Sequence, residues 1–178
     1  MMTAALPTAQ KLADLSALDC TAFSSQLGGI FEHSPWVAER AWAARPFASV
    51  DALHQAMVAA MLDAGRAEQL ALIRAHPELA GKEAAAGTLT QASTGEQQGA
   101  GLDRCTADEL QRLRSLNAAY RSRFGFPFVI AVKGRSRHQI MDIIEARLGN
   151  DAETEFRTCL DEIAKIARFR LDALLGAA

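Results

Sequence analysis

The sequence predicts an all-α fold: a single-domain bundle of about seven to nine helices with one buried extended segment. Three observations carry this. Alanine, leucine, glutamate, glutamine and arginine are abundant while tyrosine occurs once, a balance of strong helix formers. Apolar residues recur at intervals of three and four between cap-forming Ser, Thr and Asp residues. A single stretch, "FGFPFVIAVKG" (124–134), gathers β-branched and aromatic residues contiguously. It is too short for a stable helix and has no evident strand to pair with, so it reads as buried extended backbone.

The elements follow in order. A first helix opens near Asp19, with Phe23, Leu27 and Ile30 or Phe31 at helical spacing. Ser34-Pro35 restarts the chain as N-cap and first helical residue, and "WVAERAWAARPF" stops before Pro46. Ser49 or Asp51 caps a third helix, striped by Leu53, Met57, Ala60 and Met61. Residues 67–75 form a helix ended by Pro77, which pushes His76 out of the α region. Residues 81–105 carry five glycines and are the least regular part. Two capping boxes are expected there, Ser93 with Glu96 and Thr106 with Glu109. The second opens a helix bearing Leu110, Leu113, Leu116 or Asn117, and Tyr120. Ser136 caps a helix with Ile140, Ile143, Ile144 and Leu148 that stops at Gly149, and a last helix runs from about Asp151 to Leu175. No repeat or linker interrupts the 178 residues, so 1–178 reads as one domain.

Composition narrows the function. A formal charge of −2 with no dense Lys/Arg stripe argues against a nucleic-acid partner. No apolar run reaches the roughly 18 residues of a membrane span, and the N-terminus lacks the basic start and apolar core of a secretory signal. Cys20, Cys105 and Cys159 are too far apart for a paired metal motif and odd in number, which fits a reducing, cytoplasmic setting. No histidine pair has metal-binding spacing, so no metal is expected.

Three polar residues occupy apolar places. Arg170 shares a stripe with Ile163, Ala167 and Leu174, so its charge calls for an anion, an internal Asp or Glu or a ligand, unless the side chain snorkels from the rim. Glu96 is either the last member of a capping box or part of a ligand-binding helix start, where Gly95 allows close approach. His76 ends an apolar helix face. It is either a partner of the helix dipole or, with an ordinary pKa of about 6.5, a general acid or base. The residues alone leave each choice open. His33, His54 and His138 read as surface or structural.

Taken together, "FEHSPWVAERAWAARPF", "LIRAHPELAGK", "LTQASTGEQQGAGLD", "LNAAYRSRFGFPFVIAVKG" and "IAKIARFRLDALL" resemble the OHCU decarboxylases of purine catabolism. Those enzymes act on 2-oxo-4-hydroxy-4-carboxy-5-ureidoimidazoline (OHCU), between urate and allantoin. The likeness spans about residues 14–175, with Glu78 where the family often has aspartate. It implies a cofactor-independent decarboxylase, commonly a homodimer, taking a small-molecule substrate. It also implies a catalytic trio of His76, Glu96 and Arg170. Pro77, Ser93, Thr94, Gly95 and Gln97 would border the substrate, and the backbone of Phe128, Val129, Ile130, Ala131 and Val132 would offer it amides and carbonyls.

Overall fold

The computed structural model describes residues 6–177. Among the described residues there are ten α-helices, two single-turn 3-10 helices and no strand, as the all-α reading expects. The chain divides into two compact units, one built from residues 6–75 and 164–177, the other from His76–Ile163. No helix among the described residues is long and apolar enough to cross a membrane.

The first unit begins with α1 (Thr8–Ala17), which the sequence reading does not anticipate. It buries only Leu12 and Leu15, and no side-chain cap marks its start. Next, α2 (Cys20–Leu27) starts where Asp19 accepts the Ala22 N–H at 2.8 Å. The expected Ser34 cap of α3 (Trp36–Ala41) is not made. Instead the Ser34 hydroxyl donates to Glu32 O at 2.9 Å, and its short span to that carbonyl wins over the helix amides. A 3-10 turn, η1 (Trp42–Ala44), ends the element before Pro46. Of the two candidates for α4 (Val50–Leu62), Ser49 is the cap, accepting Ala52 N–H at 3.0 Å. Its stripe buries Leu53, Met57 and Met61 against a core that also holds Phe23, Leu27, Phe31 and Val37. Each such side chain contributes about 1.5–3 kcal/mol. Finally, α5 (Arg66–Ala75) ends immediately before His76. His54 Nε2 lies 2.7 Å from Ala164 O, a structural use of that histidine.

In the second unit the glycine-rich stretch resolves into α6 (Lys82–Ala86), α7 (Gln91–Gly99) and the 3-10 turn η2 (Leu102–Arg104). Gly87 and Gly101, at φ of +68° and +73°, separate these pieces. The long α8 (Ala107–Phe124) carries the predicted capping box. Thr106 accepts Glu109 N–H at 3.2 Å while Glu109 accepts Thr106 N–H at 2.8 Å. Its buried face has Leu113, Asn117 and Tyr120, so Asn117 and not Leu116 faces the core. Gly125 ends the helix at φ +77°. After the extended stretch, α9 (Arg137–Arg147) opens with Ser136 and Gln139 capping one another. The last helix, α10 (Ala152–Leu175), has Asp151 accepting Thr154 N–H at 2.9 Å, and it contributes its first half to this unit and its second half to the other. Tyr120 packs on Phe124, Phe126 and Phe128, with ring centroids 4.6, 6.1 and 5.2 Å away.

Glu109 also meets Arg137 Nε at 2.8 Å and His138 Nε2 at 2.5 Å. The Arg137 bond, helped by the Thr106 amide and His138, pulls its carboxyl from the ordinary 4.5 down to about 2. A depressed carboxyl stabilises the fold fully above its unfolded pKa and loses that contribution as pH falls through its folded pKa. Wild-type thermal stability is therefore expected to exceed that of Glu109→Gln above pH 5. The gap should shrink between about pH 4.5 and 2. Melting curves showing a gap constant across that window would refute the assignment.

Candidate active site

All of the expected site residues except Arg170 lie in the second unit. His76, 7% exposed, follows α5 directly, and Pro77 prevents the helix from continuing. The loop that follows is fastened at successive residues. Glu78 pairs with Arg121 Nη1 at 2.8 Å, Asn117 Nδ2 donates to Leu79 O at 3.0 Å, and Ala80 N–H donates to Gln97 Oε1 at 2.9 Å. Ala80 sits at φ +47°, a costly conformation for a residue with a Cβ, which these bonds support. One loop is thus tied to α7 by Gln97 and to α8 by Asn117 and Arg121.

The start of α7 corrects the sequence reading. Thr90 caps the helix by accepting Ser93 N–H at 3.2 Å, so Ser93 lies inside the first turn and the Ser93–Glu96 capping box does not form. The Thr90 hydroxyl is placed where a cap oxygen is needed, three residues earlier than the Ser-x-x-Glu pattern suggests. Glu96 is therefore on the helix body, half-buried, not its cap. Ser93 and Gln97, one turn apart, are buried; Thr94 is half-buried and Gly95 exposed. A Cβ added at Gly95 would meet nothing within 4 Å, so packing of this chain does not require a glycine there. A hollow of about 310 Å³ is lined by Ala80, Thr94, Gln97, Leu102, Leu110 and Arg114 among others; neither His76 nor Glu96 lines it.

Phe128, Val129, Ile130, Ala131 and Val132 are all buried, as expected of the extended segment. Their backbone is gripped by side chains the sequence reading did not single out. Arg147 Nη1 donates to Val129 O at 2.9 Å, Glu162 Oε2 accepts Ala131 N–H at 2.8 Å, and Arg135 Nε donates to Ala131 O at 3.3 Å. Arg147 is in turn held by Glu155, at 2.9 Å from its Nε, and Glu155 also accepts from the Tyr120 hydroxyl and from Asn150 Nδ2 at 2.7 Å. Burial opposes the Arg147 charge, but its hydrogen bond and charge pairing with Glu155 outweigh that cost and raise the guanidinium's proton affinity above its ordinary value. Burial pushes the Tyr120 phenol and the Cys159 thiol up, so both stay neutral. A signal was present in the sequence: Glu155, Cys159 and Glu162 recur at i, i+4 and i+7 on α10, acidic residues on a helix's buried face.

Arg170 belongs to the first unit. It is 8% exposed, and its Nη1 donates to Glu32 Oε2 at 2.7 Å and to Gly29 O and Ile30 O at 3.3 and 3.4 Å. The internal carboxylate that the sequence left as one alternative thus exists, and it is Glu32. The buried stripe around Arg170 holds Ile163, Ile166, Ala167 and Leu171; Leu174, expected there, is 46% exposed. Arg168 projects away from it, pairing with Asp51 and Asp172. Among the described residues no three His, Cys, Asp or Glu side chains gather closely enough to hold a metal ion.

The sequence profile of OHCU decarboxylase matches residues 16–172, nearly the whole chain. The chain belongs to the OHCU decarboxylase family. Among relatives, it is 46% identical over 160 residues to the 2-oxo-4-hydroxy-4-carboxy-5-ureidoimidazoline decarboxylase of Haloferax volcanii, covering 90% of this chain and 93% of that one. The mouse protein of the same name is 39% identical, with 92% of each covered. In the uric acid degradation bifunctional protein PucL of Bacillus subtilis, 45% identical, the match takes in 89% of this chain but 31% of that protein. The family fold recurs in the crystal structure of (S)-allantoin synthase, at TM-score 0.72 and 31% identity, over 92% of this chain and 53% of that one.

Proposed function

We propose that this chain is a carboxy-lyase that converts OHCU into (S)-allantoin in urate breakdown. The observation that carries the reading is the end-to-end likeness to the archaeal decarboxylase, with nine-tenths of both chains aligned at 46% identity. The likeness to (S)-allantoin synthase supports the product. The reading includes a single catalytic domain over residues 1–178 and a cytoplasmic homodimer acting on a small molecule. Neither nucleic acid, membrane, metal nor organic cofactor enters it.

The substrate explains why no electron sink need be supplied. When the bond to the carboxylate breaks and CO₂ leaves, its electron pair forms a C=C bond to the neighbouring imine-like ring carbon, and the C=N π pair moves onto the ring nitrogen, which takes up a proton, giving an ene-type intermediate. What remains for the protein is positioning, proton transfer and expulsion of water. In this reading His76 takes the proton of the hydroxyl on the carbon that loses CO₂. Glu96, coupled to His76, helps deliver a proton to one face of the intermediate, which makes the product a single enantiomer. Arg170 offers a permanent positive charge to an anionic or carbonyl edge of the substrate. Pro77, Ser93, Thr94, Gly95 and Gln97 border the substrate, and the backbone of 128–132 pairs with its amide-like groups.

The test supplies OHCU from urate with urate oxidase and its hydrolase partner and follows the optical activity of the allantoin formed. An excess of (S)-allantoin, arising faster than the spontaneous racemate, is expected; racemic product at the spontaneous rate overturns the reading. A second experiment addresses Arg170. Arg170→Lys keeps a charge for Glu32 but loses the planar fork, so (S)-allantoin affinity measured by calorimetry should fall by about tenfold or more. Unchanged affinity would assign Arg170 to structure alone.

A further inference from the structure

Five consecutive buried residues, 128–132, bring with them backbone N–H and C=O groups that need partners. In extended backbone both groups of one residue point to one side, and those of the next residue to the other. Residues 129 and 131 therefore define one edge of this segment. That edge is occupied: Arg147 takes Val129 C=O, Glu162 takes Ala131 N–H and Arg135 takes Ala131 C=O. The opposite edge belongs to Phe128, Ile130 and Val132. Val132 C=O accepts Arg135 N–H at 3.0 Å in the turn that follows. None of the described residues hydrogen-bonds Ile130 N–H, Ile130 C=O or Val132 N–H, although Ile130 is 5% and Val132 6% exposed.

The occupied edge is stiff because its anchors are themselves held. Arg147, 8% exposed, is clamped by Glu155, which is fully buried and bonded to Tyr120 and Asn150. Glu162, 6% exposed, projects from the same helix two turns after Glu155. Side chains of α9 and α10 thus stand in for a neighbouring strand along one edge only. The other edge is left as a donor, acceptor and donor in sequence, of which adjacent groups can pair with the C=O and N–H of a planar amide-like ligand.

We propose that Arg147 and Glu162 are positioning residues for the decarboxylase: by holding Val129 C=O and Ala131 N–H they keep the Ile130–Val132 edge fixed and open to the amide-like edge of the substrate. The inference rests on the decarboxylase reading above. It differs from a purely structural role because the anchors act on affinity through the backbone of Ile130 and Val132, with which neither anchor hydrogen-bonds.

The direct test is amide exchange of the wild-type protein with and without (S)-allantoin, read residue by residue by NMR. Slower exchange at the Ile130 and Val132 amides on adding allantoin is expected. The companion experiment compares Glu162→Met, which removes the acceptor for Ala131 N–H, with Glu162→Gln, which keeps one. KM for OHCU should rise about tenfold in the first and much less in the second, with kcat less affected. An active wild type whose Ile130 and Val132 amides do not respond to allantoin overturns the inference alone, as does an equal KM in the two variants. A wild type that forms no (S)-allantoin excess would instead sink the decarboxylase reading, and the inference with it.

Discussion

His76→Asn is expected to lower enzyme-driven formation of (S)-allantoin by about 100- to 10,000-fold while leaving the fold in place. Asparagine keeps a polar, hydrogen-bonding side chain of modest size but cannot gain or lose a proton near neutral pH, so the substitution isolates proton transfer. The fold should tolerate it because the loop after His76 is fastened by other groups, namely Glu78 to Arg121, Leu79 to Asn117 and Ala80 to Gln97. His76 is 7% exposed, so a proton transfer at its imidazole would take place out of bulk water. The measurement is the initial rate of optical activity at saturating substrate, beside a thermal melt. Turnover within twofold of wild type, with an unchanged melt, would remove His76 from the chemistry.

Arg147→Met should have the largest effect on stability. Glu155 is fully buried and takes its charge balance from Arg147 through Nε and Nη2, both at 2.9 Å. Removing the guanidinium leaves that carboxylate with only the Tyr120 hydroxyl and Asn150 as partners. Breaking a buried pair in this way costs about 3–5 kcal/mol. For a chain of this length each kcal/mol lowers the melting temperature by roughly 2–4 °C. The double variant Arg147→Met/Glu155→Met removes both charges, and its loss should fall well short of the two single losses added together. Additive losses would show that Arg147 and Glu155 do not act as a buried unit.

The contrast between Glu109 and Glu155 shows how far a sequence carries. Glu109 was legible because its partners, Thr106 and the α8 start, are local, and the Thr-x-x-Glu spacing alone prescribes the capping box. The Ser93–Glu96 pattern has the same spacing and fails, because Thr90 competes for the same amides one turn earlier and local spacing cannot rank two caps. Glu155 and Glu162 sit on a stripe that was visible, yet their partners are Arg147 and the Ala131 amide, far along the chain. Glu32 is not legible as the partner of Arg170 for the same reason: it is 138 residues away along the chain.

By itself the sequence determined that this chain is helical, that Pro77 stops the helix at His76, that 124–134 cannot continue as helix, and that its motifs are those of an OHCU decarboxylase. Each of these follows from backbone sterics, side-chain periodicity or motif order, which are local or additive along the chain. Only the tertiary structure decided which carboxylate answers each buried guanidinium, and which edge of the 128–132 backbone is occupied. Those choices depend on through-space distances of a few ångströms, since a buried charge or amide is satisfied by whatever the fold brings to it and not by what precedes it in the chain.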